Sequence, residues 1–137
     1  KWHQNSHELI ELFKDNVGQR TPNIVSSDYV VLNALLIKCL FLNKGELLSV
    51  YDEEKRLVAS GFFLTHKSRV TLLVSSTDFS NRNNGANTFL IDCALKRFSS
   101  NYKTFYFGGS SIPSIAQFFK SFGAKTETYF LVKKRLL

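Results

Sequence analysis

The sequence predicts an α/β (α+β) fold, a mixed and mostly antiparallel sheet with helices on both faces, on three observations. First, a strongly apolar strand pattern from Val70 to Ser76 passes through a short polar loop into an amphipathic helix pattern, Asn87 to Phe98. Second, the order along the C-terminal two thirds is three strand signals, loop, helix, strand, helix, strand. Third, 137 residues that are 44% hydrophobic, with 13 Phe, suffice for one sizeable aromatic core and are too few for two full-sized domains.

Lys1-Trp2-His3 reads as the tail of a first strand. Met is absent even at position 1, so residues 1–137 are expected to be a single domain forming the C-terminal part of a longer protein. No signal peptide is seen and no apolar run reaches transmembrane length, which makes the cytoplasm the default location. Asn5-Ser6-His7-Glu8 has the spacing of a capping box, ahead of a helix whose apolar face is Leu9, Ile10, Leu12 and Phe13 and which ends near Gly18. Arg20 to Ser27 reads as a loop. Asp28 to Asn43 reads as a second helix, apolar over most of its surface through Val31, Leu32, Leu35, Leu36, Cys39 and Leu40, so it must be covered. Thr65 to Arg69 is the natural turn of a hairpin, with His66 solvated.

The most informative stretch is Asn81-Arg82-Asn83-Asn84-Gly85-Ala86, between the Val70 strand and its helix. Gly85 lets backbone approach an anion without a Cβ in the way, and the first helical turn presents free N–H groups with the positive end of the helix dipole behind them. Arg82 adds a full charge, so the loop is suited to phosphate, although a solvated Asn-rich turn has the same composition. Beyond the helix, Thr104 to Phe107 forms a short aromatic strand leading into Gly108-Gly109-Ser110-Ser111. Pro113 opens a further helix with Ile115, Phe118, Phe119 and Phe122 on one face and Gly123 as its C-cap, and a β-rich run from Thr126 to Lys133 closes the chain.

This order resembles the GNAT (Gcn5-related N-acyltransferase) superfamily, and within it the C-terminal module of the FemAB-like acetyltransferases. The resemblance covers about residues 46 to 134 and is carried by Ser75-Ser76, Arg82 to Ala86 with Leu90-Ile91, Phe105 to Ser110, and most specifically Ile115 to Ala124. It implies the GNAT fold, with the sheet splayed after the Val70 strand. It also implies an acyl-CoA donor, acetyl-CoA or another, whose carbonyl and pantetheine arm lie against the strand backbone at Leu73, Val74 and Ser75. The pyrophosphate is then expected at the N–H groups of Asn83, Asn84, Gly85, Ala86 and Asn87, with Arg82 beside it. Many GNATs carry a Tyr acid where this chain has Phe118 and Phe119, so the departing thiolate would take its proton by way of Ser110, Ser111 or water.

The catalytic residues are not identifiable from the sequence. Asp78, Ser76 and Ser110 fall at C-terminal ends of strands, where caps and turns are the ordinary roles. Cys39 and Cys93 read as two reduced core thiols, no motif links them to His3, His7 or His66, and no metal is placed. The formal charge of +7 is scattered apart from Lys133-Lys134-Arg135, and no zinc-finger, homeodomain or RNP signature accompanies it. A basic field would assist capture of coenzyme A or of a tRNA acceptor stem.

Three functions therefore stand at this level. One is an acyl-CoA-dependent N-acyltransferase with a small-molecule or peptide amine acceptor, the second a Fem-type aminoacyl-tRNA-dependent transferase, and the third a degenerate module without catalysis. The expected partners are a second, more N-terminal GNAT-like half or another copy of the chain, with no membrane.

Overall fold

The computed structural model describes residues 1–109 and 112–136, and leaves the side chains of residues 81–83 outside that description. Its elements are β1 (Trp2–His3), α1 (Ser6–Asp15), α2 (Val17–Arg20), α3 (Ser26–Phe41), β2 (Gly45–Tyr51), β3 (Leu57–His66) and β4 (Arg69–Thr77). A 3-10 turn (Phe79–Asn84), α4 (Ala86–Phe98), β5 (Thr104–Tyr106) and α5 (Pro113–Lys120) follow. The strands stand in the order β1-β2-β3-β4-β5, antiparallel throughout except that β5 runs parallel to β4. No helix among the described residues is long and apolar enough to cross a membrane.

Alternation along the strands divides the core between the two faces. Phe62 and Phe63, neighbours on β3, are both fully buried, and each belongs to a different cluster. Phe62 joins Leu9, Ile10, Leu36 and Leu47 beneath α1 and α3. Phe63 joins Leu90, Ile91, Ala94 and Phe98 of α4, with the rings of Trp2, Phe98 and Phe105 at 6.0, 5.7 and 6.0 Å. Complete burial of such a side chain contributes about 1.5–3 kcal/mol, so these two rings help to hold helices to both faces. Cys93 packs in the α4 cluster and Cys39 in the other, both as free thiols.

Two local expectations are overturned. Asn5 is the N-cap of α1 but makes no side-chain cap bond, and the Glu8 carboxylate, which would complete a capping box, accepts the Tyr51 hydroxyl instead. The capping-box spacing is spent on a tertiary contact. The run from Thr126 to Lys133 forms no strand: Tyr129, Phe130, Leu131 and Val132 are 77–88% exposed. β-propensity expresses itself only against a partner strand, and this run lies on none. The helix expected over Asp28 to Asn43 spans Ser26–Phe41, and the expected loop from Arg20 is shortened by α2.

Candidate functional site

The site is built where β4 and β5 part. Their parallel pairing spans only Arg69 to Thr71 against Thr104 to Tyr106. Beyond it the β3–β4 register skips Leu73, since Phe63 pairs with Leu72 and Phe62 with Val74. Leu73 is thus the extra residue of a β-bulge, which bends β4 and sharpens its twist. On the other side Gly108 and Gly109 take φ of 83° and 72°, a left-handed turn that carries the chain off the sheet. Among the described residues, β4 from Leu73 to Thr77 therefore has β3 as its only partner strand. Leu73, Val74 and Ser75 lie in this parting, at 39% exposure for Leu73 and half-buried for the other two.

The following segment is clamped from two directions. Asp78 caps the 3-10 turn by accepting from Ser80 N at 3.0 Å and Ser80 Oγ at 2.6 Å. Asn16, between α1 and α2, accepts the Phe79 N–H at 2.8 Å while donating to Leu12 O at 2.8 Å. Gly85 then enters α4 with φ of 73°, and a Cβ built there would meet nothing within 4 Å. The open space is outside the helix start, where a ligand would sit.

A cleft of about 210 Å3 occupies that space, lined by Thr77, Asn84, Gly85, Ala86, Asn87, Thr88 and Phe118. Of the expected anion-binding residues, Asn84 to Asn87 face the cleft. Asn83 and Arg82 contribute backbone to the 3-10 turn just before it, and their side chains lie outside the described residues. The Ala86 N–H is already taken by Asn84 Oδ1 at 3.0 Å. The Phe89 N–H bonds back to Gly85 O at 3.0 Å, and ahead of it in the first turn of α4, where N–H groups lack an acceptor within the helix itself, stand Asn87 and Thr88. Their place in the first turn, the dipole of a 13-residue helix and the absence of a Cβ at Gly85 suit a pyrophosphate.

Thr77, Thr88 and Phe118 escaped the sequence reading. Thr88 was findable as the third residue of the helix, but Phe118 reaches the cleft only through the placement of α5. Phe119 stacks on Phe107 at 4.7 Å and 23°, and both Phe118 and Phe119 pack against the α4 core cluster. Among the catalytic candidates, Ser76 is buried with its hydroxyl donated to Leu12 O at 3.3 Å, and Asp78 acts as a cap. Ser110 and Ser111 lie outside the described residues.

A polar row crosses the sheet beside this site. Ser49, Ser60 and Ser76 are in register on β2, β3 and β4, and all three are buried. Ser49 Oγ lies 2.9 Å from Ser60 Oγ and 2.7 Å from His3 Nε2. The Asn5 N–H donates to His3 Nδ1 at 3.1 Å, which assigns the imidazole proton to Nε2. Burial lowers the His3 pKa below 6.5 against the opposing pull of Glu8, and burial with the Glu8 hydrogen bond raises Tyr51 above 10.0.

No family model matches the chain, and no curated protein does. Solved structures do. The ribosomal-protein-alanine N-acetyltransferase from Brucella melitensis biovar Abortus 2308 superposes with a TM-score of 0.67 at 14% identity, over 99% of this chain and 98% of that one. AAC(6')-Iy in complex with a bisubstrate analogue, CoA-S-monomethyl-acetylneamine, gives 0.69 at 15% identity over 99% and 97%. An aminoglycoside acetyltransferase, meta-AAC0020, from an uncultured soil metagenomic sample in complex with trehalose gives 0.68 at 16% identity over 100% and 95%. At these identities the likeness is one of fold: the chain has the architecture of the GNAT acetyltransferases.

Proposed function

We propose that this chain is an acyl-CoA-dependent N-acyltransferase of the FemAB-like branch, transferring an acetyl or other acyl group to the amine of a small molecule or peptide. The observation that carries the reading is the cleft beside the parted strands, lined by Asn87 and Thr88 of the first turn of α4, with open space at Gly85. The fold neighbour solved with a coenzyme A bisubstrate analogue supports the donor class. The block Ile115 to Ala124, which supports the branch, forms α5 and its turn at Gly123 (φ 85°).

When bound, coenzyme A supplies the activated thioester. The residues of the chain hold it: Asn87 and Thr88 N–H on the pyrophosphate with Arg82 adjacent, and the β4 edge at Leu73 to Ser75 along the pantetheine. The acceptor nitrogen attacks the thioester carbonyl, the C–N bond forms, and the C–S bond breaks with its electron pair on sulfur. Holding the two reactants in line with donors on the carbonyl oxygen is most of the catalysis such a reaction needs. Phe118 has no proton to give, so water protonates the departing thiolate and takes the proton lost by the amine, a slower route than a positioned acid.

Isothermal titration with acetyl-CoA tests the reading, and silence at millimolar ligand removes it. Arg82→Ala should weaken binding by about 1.5–3 kcal/mol, the range for a hydrogen bond to a charged group.

A further inference from the structure

The geometry of α3 points to a self-association surface, and we propose that its outward face pairs antiparallel with the same helix of a second copy of this chain. The inward side of α3 packs on the core through Leu36, fully buried, with Tyr29, Leu32, Cys39 and Leu40 around it. The opposite side is equally apolar and lies bare: Val30 is 69% exposed, Val31 68%, Ile37 53%, Phe41 79%, Leu35 47% and Leu42 49%. At 100° per residue these positions and exposed Ala34 fall within one stripe along a 16-residue helix, about 24 Å long. Such a stripe exposes roughly 500 Å2, the upper end of what a monomer keeps in one patch. Two copies with their polar rims would bury about 1,200 Å2, the threshold of a stable interface.

The occupant is specified by what interrupts the stripe. Lys38 sits in the middle of it and forms no ion pair among the described residues, its ammonium standing 5.9 Å from the Phe41 ring. Asp28 near the other end of the helix uses its carboxylate only on the Val25 N–H, at 2.8 Å. A two-fold axis through Ala34, the smallest side chain on the face, lets the helices approach closely and sets Val31 level with Ile37 of the second copy. Measured along the helix axis, it also sets each Lys38 two residues' rise, about 3 Å, from the level of the other copy's Asp28. Antiparallel dipoles favour the same arrangement. A parallel pairing would instead stack Lys38 on Lys38.

Sedimentation equilibrium from low to high micromolar concentration is the test. The wild type should show the mass of two chains at the upper end, and Val31→Glu and Phe41→Glu should each give the mass of one chain throughout, with unchanged circular dichroism and melting. Lys38→Glu, which turns the ion pair repulsive, should weaken the dimer most at low salt. A wild type that stays a single chain overturns the proposal, as does a dimer that survives both Glu variants. So does a single chain that instead cosediments with phosphatidylserine vesicles and loses that binding in Phe41→Glu, since the face would then belong to lipid.

Discussion

The side-chain oxygen of Asn84 accepts the N–H of Ala86 at 3.0 Å across Gly85, closing one of the donors that a ligand at this helix start would otherwise claim. Asn84→Ala should therefore cost stability of about 1 kcal/mol, the ordinary net value of one hydrogen bond, while freeing a donor toward the cleft. Asn84→Asp keeps the cap but sets a carboxylate where the pyrophosphate is proposed. The pair separates structure from binding: thermal melting should fall only in the Ala variant, and acetyl-CoA affinity should fall mainly in the Asp variant.

Gly85 holds φ of 73° with open space around its Cα, so the cost of a side chain there is conformational rather than a clash. Gly85→Val should cost about 1–2 kcal/mol in stability, from the left-handed backbone, and should also abolish donor binding by filling the cleft mouth. Gly85→Asn tolerates the conformation and should recover most of the stability without recovering the binding. Equal losses of affinity and stability across Val and Asn would show that the glycine serves the turn alone.

Phe118 lines the cleft whereas Phe119 stacks on Phe107. Phe118 borders the part of the cleft assigned to pyrophosphate, so Phe118→Tyr should change the donor KM and leave kcat nearly as it was. Phe119→Tyr would press its hydroxyl among rings and lower the melting temperature without a change in the donor KM. Steady-state kinetics on the two variants, with coenzyme A release as the signal, distinguishes them; a changed KM in Phe119→Tyr alone would reverse the assignment.

The His3 and Tyr51 shifts bound the pH range of stability. His3, lowered chiefly by burial, is less protonated folded than unfolded, so its contribution is whole above pH 6.5 and declines as the pH falls below it. Tyr51, raised chiefly by burial, favours the neutral folded form, so its contribution is whole below pH 10.0 and declines above it. Urea midpoints should hold level between those values and fall on both sides. His3→Gln should flatten the acid limb and Tyr51→Phe the alkaline one.

Phe63, fully buried among Trp2, Phe98 and Phe105, is the keystone of the α4 face. Phe63→Ala should destabilise by about 3–5 kcal/mol through lost contacts and the cavity left behind. Exposed Phe89→Ala on the same helix, 57% exposed, should change the urea midpoint little and serves as its control.

By itself the sequence determined what depends on neighbours along the chain. The apolar periodicities of Val70 to Ser76, Asn87 to Phe98 and Ile115 to Phe122 became β4, α4 and α5, and Gly85 took the positive φ that its place at a strand-to-helix loop required. These are legible because period, caps and glycine act within a few residues. Tertiary structure decided the rest. Glu8 had capping-box spacing from Asn5 and was drawn instead to Tyr51, 43 positions away. Leu73 reads as one more apolar residue of a strand, and only the register against Phe62 and Phe63 makes it the bulge that opens the sheet. The Thr126 to Lys133 run has a strand's composition, yet a strand is a property of two chains of backbone, and its own residues cannot supply the second. Phe118 and Phe119 are adjacent and chemically identical and both pack on the α4 cluster, yet the placement of α5, set by what that helix packs against, brings Phe118 to the cleft and Phe119 onto Phe107.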